Sequence, residues 1–344
     1  MKIVCDKDIP YIRGVLEPYG EVVYLEGSGI AAADVADADG VIVRTRTRCD
    51  EKLLGGSKVR FVGTATIGFD HIDTDYCHAN GIEVATAAGS NAGGVLQWVA
   101  SALALLSDMD GWNPAGKTLG VIGAGHIGSL VESYGKMWGF KVICSDPPRE
   151  KAEGLGPDEG FVPLKELVMQ ADIITFHVPF TKTGEYPTHL MAGENFFQHI
   201  KDGAAIINSS RGGIVDECIL GRGIKFRNCR AIIDTWENEP FVNHGLLTAV
   251  SAGTQHIAGY SAQGKANASA MMIEAIARYF SLPIKGWYPA EVTPFPERKP
   301  IAWEKMKSTV RDYCDLSAMT ATLRTSPEDF EQLRADYVYR QEYF

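Results

Sequence analysis

Three polar side chains follow short apolar runs in the second half of this chain: Arg211 in N-S-S-R-G-G, Glu239 in D-T-W-E-N-E-P and His256 in G-T-Q-H-I-A-G-Y. Together they form a chemical set. Histidine exchanges a proton near neutral pH, and a neighbouring carboxylate orients it and stabilises its charged form. Arginine holds a carboxylate in a bidentate fork and polarises an adjacent oxygen. A base, an orienting acid and a carboxylate-binding cation are what oxidation of a 2-hydroxy acid demands, provided a nicotinamide accepts the hydride. Taken singly, each has a plainer reading: a hydrogen-bonded strand-end histidine, an arginine capping a Gly-Gly turn, and one of several surface acids.

A seat for the nicotinamide carrier is read from residues 118–128, T-L-G-V-I-G-A-G-H-I-G, where a buried strand runs into Gly123-x-Gly125-x-x-Gly128 and then a helix. Gly123 permits the tight turn, Gly125 lets backbone N–H groups approach a pyrophosphate, and Gly128 lets helix and strand pack closely. The next strand ends at Asp146, near the separation of roughly 20 residues expected of the acid that accepts from the adenosine ribose. Its charge opposes an added phosphate by about 4 kcal/mol at roughly 4 Å and an effective dielectric near 20. NAD is therefore expected rather than NADP, although Arg149 nearby pulls the other way. Asp234 ends a later strand and either begins a loop or faces the nicotinamide.

These groups need a scaffold. Apolar runs at 2–5, 21–25, 40–44, 60–66, 83–87, 119–123, 141–146, 172–177, 204–210 and 230–236 alternate with helix-period segments, among them 8–19 and 31–38. The rhythm predicts an α/β protein with two lobes, Rossmann-like or flavodoxin-like, each with a parallel sheet. Val95, Trp98, Val99, Ala102, Leu103 and Leu106 give 91–108 helical spacing, and Gly93 and Gly94 at its start mark either a hinge or a cap. A second long helix spans 261–280, and Pro283, Pro289, Pro294, Pro296 and Pro300 then punctuate an extended connection. The expected domains are 1–89, completed by the returning helix 261–281, for substrate; 90–258 for NAD; and 282–344 as a small C-terminal dimerisation segment.

Composition sets outer limits. The 344 residues are 45% hydrophobic and 22% charged, which fits a globular protein of two domains or more. Against 43 acidic side chains there are 33 basic ones, a formal charge of −10, so nucleic acid is not expected as a partner. Seven scattered cysteines without a C-x-x-C pair, and no leader-like start, point to buried thiols in the cytoplasm. The apolar run 98–106 is too short to span a membrane. Asp70, His71, Asp73, Cys77 and His78 lack ligand spacing, so no metal is expected.

The glycine loop, N-x-x-R-G, W-E-x-E-P and H-I-A-G, in that order over about 1–280, resemble the D-isomer-specific 2-hydroxyacid dehydrogenases. The resemblance implies that Arg211 binds and polarises substrate, Glu239 pairs with the histidine, and His256 donates or accepts the proton. It also implies that Asp234 meets the nicotinamide carboxamide. Further segments resemble one branch of the family, whose substrate carries a phosphate and whose chain ends in a dimerisation domain. These are V-R-T at 43–45, F-V-G-T-A-T-I-G-F-D-H-I-D at 61–73, S-D-P-P at 145–148 and D-F-E-Q-L-R-A-D-Y-V-Y-R at 329–340.

The resemblance to that branch implies substrate contacts from Thr45, Thr66 and Tyr260. It implies NAD contacts from His126, Ile127, Asp146, Thr175, Ser209, Ser210, Arg211, Asp234 and Gly259, a small phosphorylated 2-hydroxy acid as substrate, and a homodimer. Gln255 and Gln97 stand where the family usually has proline and glutamate. Arg44, Arg46 and Arg48 alternate in V-R-T-R-T-R, so they read either as a phosphate clamp on one side of an extended segment or as a solvated basic loop. Arg340 is a candidate contribution from a partner subunit, and the aromatic residues around it read as a subunit interface. Rival readings are a dehydrogenase of another 2-hydroxy acid, such as 3-phosphoglycerate or glycerate, and an NAD-sensing corepressor on the same scaffold.

Overall fold

The computed structural model describes every residue except Pro296, so that member of the proline series lies outside the described residues. The chain divides into two compact units, Met1–Asn91 with Ser261–Pro296 and Ala92–Tyr260 with Glu297–Phe344. The expected third segment, 282–344, is thus divided between them.

In the first unit, β1 (Lys2–Asp6), β2 (Glu21–Leu25), β3 (Gly40–Val43), β4 (Phe61–Thr64) and β5 (Glu83–Thr86) form one parallel sheet in the order β2-β1-β3-β4-β5. This is the flavodoxin-type order. Alternation along β1 sends Ile3 and Cys5 to one face and Val4 to the other, and each face has its own core. The helix Ala262–Tyr279 covers one face through Ala268, Met272, Ile273 and Ile276. Ser261 starts that helix, its hydroxyl accepting from the Gly264 N–H at 2.9 Å. The helix expected at 8–19 does not form; turns and a short 3-10 segment, Glu17–Tyr19, stand in its place. Tyr11 (φ 64°) and Gly14 (φ 84°) are left-handed there, which no right-handed helix accommodates.

In the second unit, β6 (Thr118–Ile122), β7 (Lys141–Ser145), β8 (Ile173–Phe176), β9 (Ala205–Asn208), β10 (Arg230–Ile233) and β11 (Ala252–Gly253) are also all parallel. Their order is β11-β10-β9-β8-β6-β7, and one bridge, Cys144 to Phe161, extends the sheet past β7. The chain leaves β6 toward β7 on one side and continues from β8 on the other. Such a reversal opens a crevice at the carboxyl ends of the two central strands, where open α/β sheets bind ligands.

The helix Ala92–Asp110 is long and apolar enough to cross a membrane, but it is mostly buried in this unit's own core. Its Gly93 is a packing residue, since the Arg298 guanidinium lies where a Cβ would stand. From the C-terminal region, Trp303, Met306, Val310, Leu316 and Phe344 join the same core, while Leu323 and Phe330 join the second.

Candidate active site

The glycine loop sits at the reversal point. Gly123 has φ +84°, and a Cβ there would lie 2.8 Å from the His177 carbonyl oxygen at the end of β8. A Cβ on Gly128 would collide with the Gly123 carbonyl, so the helix His126–Trp138 packs directly on the turn. Gly125 begins that helix without a side-chain cap, with open space where its Cβ would be. An uncapped helix N-terminus with open space above it fits a pyrophosphate. His126 is exposed and Ile127 half-buried on its first turn.

Asp146 follows β7 and ties the loop down. Its Oδ2 accepts from the Ala124 N–H at 2.8 Å and its Oδ1 from the Arg149 N–H at 3.1 Å. One bond per oxygen leaves lone pairs for ribose hydroxyls. Arg149 donates from Nε to Glu153 at 2.9 Å and from Nη1 to the Ala124 carbonyl at 2.9 Å and to Ser129 Oγ at 3.1 Å. Its charge is already matched by an acid, which removes the feature that favoured a 2′-phosphate. On β8, the buried Thr175 hydroxyl lies 3.0 Å from Nε2 of His177. Burial pushes the His177 imidazole down to about 3, and its enclosed Nδ1 has no partner among the described residues. Burial thus favours the neutral form of the His177 imidazole.

One tryptophan links the segments that carry the three candidate residues, and the Arg211 guanidinium donates to the Ser210 carbonyl at 2.7 Å. After β9, Asn208 Oδ1 accepts from the Ser210 N–H (3.1 Å) and hydroxyl (2.7 Å), and its amide donates to the Arg211 carbonyl at 3.0 Å. Ser209 also lies in this turn, its hydroxyl buried without a partner among the described residues. Gly212 is pressed against the Trp236 carbonyl so closely that no Cβ would fit. Trp236 in turn donates its N–H to Glu239 Oε1 at 2.9 Å and its indole N–H to the Thr254 carbonyl at 2.9 Å. Glu239 Oε2 lies 2.7 Å from His256 Nδ1, with both side chains about a quarter exposed. Burial alone would raise the Glu239 carboxyl, but the hydrogen bond and charge of His256, helped by the Trp236 N–H and Arg334, hold it below its usual value. This pairing leaves Nε2 of His256 as the nitrogen for a substrate.

His256 occupies a left-handed conformation, φ 57°, which costs free energy for a residue with a Cβ. Two buried groups of opposite charge hold it. Asp234, fully buried, accepts from the Thr254 hydroxyl (2.6 Å), the Ile257 N–H (2.8 Å) and the Ala258 N–H (2.9 Å). Arg340 donates to the carbonyls of Ile257 (3.1 Å), Gly94 (2.7 Å) and Ala258. The loop 256–260 thus hangs between a carboxylate on its N–H groups and a guanidinium on its carbonyls. Expected as a nicotinamide contact, Asp234 has both oxygens engaged by this loop. Arg340, expected from a partner subunit, acts within its own chain.

The C-terminal segment supplies what the motifs missed. Tyr260 ends the loop, and its ring meets those of Tyr337 and Tyr339 at 6.2 and 6.0 Å and the Arg334 guanidinium at 5.6 Å. The two unusual glutamines face the same segment: Gln97 donates to the Gln341 carbonyl at 3.1 Å and Gln255 to the Leu333 carbonyl at 3.4 Å. These amides were the one readable signal of the tail's position.

Of the stretch read as either a phosphate clamp or a solvated basic loop, in the first unit, the arginines at 44 and 48 are paired with acids. Arg44 is held by Asp6 (3.1 Å) and Asp8 (2.9 Å), and Arg48 by Asp50 (2.8 Å). Thr45 and Arg46 are exposed, and Thr66 bonds the Thr64 hydroxyl at 2.6 Å and the Gly68 carbonyl at 3.0 Å. Gly259 is half-buried within the loop.

Residues 95–258 match the family profile described as D-isomer specific 2-hydroxyacid dehydrogenase, NAD binding domain. Over 345 residues, 99% of this chain and 97% of the relative, the sequence is 42% identical to erythronate-4-phosphate dehydrogenase of Bacteroides fragilis. Among solved structures it is similar to D-lactate dehydrogenase from Aquifex aeolicus complexed with NAD and lactic acid, with TM-score 0.68, 26% identity, and 85% of this chain and 100% of that one covered. It is also similar to NAD-bound 3-phosphoglycerate dehydrogenase of Entamoeba histolytica, with TM-score 0.66, 26% identity and 88% and 99% covered.

Proposed function

We infer the activity from one premise: this chain belongs to the D-isomer-specific 2-hydroxyacid dehydrogenase family, and it binds NAD. The reaction proposed is oxidation of 4-phospho-D-erythronate at C2 to 3-hydroxy-2-oxo-4-phosphooxybutanoate, a step of pyridoxal 5′-phosphate biosynthesis. The chemistry is carried by the His256–Glu239 pair, which follows strands of the same parallel sheet as the dinucleotide loop, and the substrate follows the full-length likeness to erythronate-4-phosphate dehydrogenase.

NAD would be held by the loop 123–128 and Asp146, and when bound it accepts the C2 hydride. His256 Nε2 takes the hydroxyl proton as the C2–O bond becomes a carbonyl. Glu239 fixes the imidazole tautomer through Nδ1 and stabilises the imidazolium that results. Arg211 holds the substrate carboxylate and polarises the C2 oxygen. Oxidation requires the neutral imidazole as proton acceptor. Assignment as a cytoplasmic homodimer rests on the same likeness, and light scattering of the eluted protein tests the dimer.

Purified protein is offered NAD with 4-phospho-D-erythronate, 3-phosphoglycerate or glycerate, and the reduced-nicotinamide absorbance is followed. The reading expects the highest kcat/KM for 4-phospho-D-erythronate. Preference for another acid moves the substrate, and no turnover of any acid ends the enzymatic reading.

A further inference from the structure

Arg334, in the short helix Phe330–Ala335, is a cation to which the chemistry above assigns no ligand. Its guanidinium lies 5.6 Å from the centre of the Tyr260 ring, four residues past His256. Its Nε is enclosed with no acceptor among the described residues. An ion pair joins it to Glu331 on its own helix, at the long distance of 3.9 Å. The other acids it senses are engaged elsewhere: Glu239 by Trp236 and His256, and Asp234 by the loop 254–258. A half-buried guanidinium met by its carboxylate only at 3.9 Å is incompletely compensated, and an anion would complete it.

The reaction inferred above supplies an anion of suitable charge. Its substrate has a carboxylate at one end, assigned to Arg211, and a phosphate at the other, with the reacting carbon between them. Once C2 is at His256 and the carboxylate at Arg211, the phosphate needs a second cation. In the first unit, the arginines at 44 and 48 already face acids, and Arg46 is exposed. Arg334 stands beside Tyr260, on the loop that carries His256.

We propose that Arg334, brought to the Tyr260 ring by the C-terminal segment, binds the distal phosphate of the substrate and sets the preference for phosphorylated hydroxy acids. The assignment rests on the reaction proposed above. Remote binding energy of this kind is realised in turnover as well as in binding.

The test compares wild type with Arg334→Met and Arg334→Lys, using 4-phospho-D-erythronate, D-erythronate, and D-erythronate with added phosphite. A lost charge-assisted contact predicts that the ratio of kcat/KM between phosphorylated and unphosphorylated acid falls roughly 100-fold in Arg334→Met. The lysine variant, which keeps the charge, is expected to lie between, and phosphite is expected to accelerate D-erythronate oxidation only where the cation remains. Equal losses on both acids, or an unaltered ratio, would overturn the proposal. If the methionine variant does not fold, the lysine variant decides by the same ratio. Calorimetric titration of inorganic phosphate into NADH-loaded protein separates the two levels of inference. Phosphate bound by wild type and lost in the variant supports Arg334 even if 4-phospho-D-erythronate is not turned over; binding that survives the substitution refutes the phosphate site.

Discussion

The stretch 44–50 in the first unit and the C-terminal stretch 329–344 in the second are both rich in arginine, yet their charges are treated in opposite ways. Arg44 and Arg48 face the carboxylates of Asp6, Asp8 and Asp50. Arg340 is buried on backbone carbonyls, and Arg334 lies against an aromatic ring with a distant acid. Charge visible along a sequence is therefore not charge available to a ligand. What decides availability is whether an acid from another strand or loop has already met it, and a guanidinium held by carbonyls or rings keeps a field that can act on its surroundings.

Replacing Arg340 by Met is the harshest way to probe this contrast. The change removes the guanidinium donors from the carbonyls of Gly94, Ile257 and Ala258, and takes a buried opposite charge away from Asp234. Breaking such a buried arrangement costs about 3–5 kcal/mol. A urea midpoint should report this, and since His256 is then free to leave its left-handed conformation, kcat should fall in whatever molecules remain folded. A midpoint within error of wild type would show that Asp234 alone holds the loop.

His177 extends the comparison to a group buried with no acid at all. Its imidazole titrates near 6.5 when unfolded and is pushed down to about 3 by burial when folded. The unfolded chain thus binds the extra proton first. Stability is complete above about pH 6.5 and declines as the pH falls toward 3, by up to about 4 kcal/mol over the whole window. Thermal melting against pH checks this, and His177→Asn, which keeps a polar partner for Thr175, should flatten the slope. An equally steep slope in the variant would assign it to other groups.

Much of the scaffold could be read beforehand because strands buried on both faces appear as unbroken apolar runs, and the runs at 119–123, 172–177 and 204–210 each overlap one. Two-residue β11 leaves no such run, and the helical period of 8–19 is overridden by two left-handed residues that periodicity does not register. The candidate trio could be picked out because each member has a chemical type and a strand-end position. The tail's contribution was not. Arg340 meets carbonyls 83 and 246 positions away, and a carbonyl has no residue type to give it away. The same blindness left 44–48 open between a clamp and a solvated loop, since the acids that meet Arg44, Asp6 and Asp8, belong to a different strand and loop.

Within that first stretch the two paired arginines should themselves differ, and the difference sharpens the argument about exposure. Arg44 is 24% exposed and its partner Asp6 wholly buried, so Arg44→Met leaves an enclosed carboxylate with only the Asp8 N–H as donor. The expected loss is about 1–3 kcal/mol. Arg48 is 74% exposed and its partner Asp50 keeps the N–H groups of Lys52 and Leu53, which it caps. Arg48→Ala should therefore change stability by less than about 0.5 kcal/mol, as exposed pairs do. Urea titrations of the two variants check the order. KM for a phosphorylated acid should move less in both than in Arg334→Met, because neither side chain is awaiting an anion. A larger rise in KM with Arg44→Met would return the phosphate to the first unit and reverse the contrast between the two stretches.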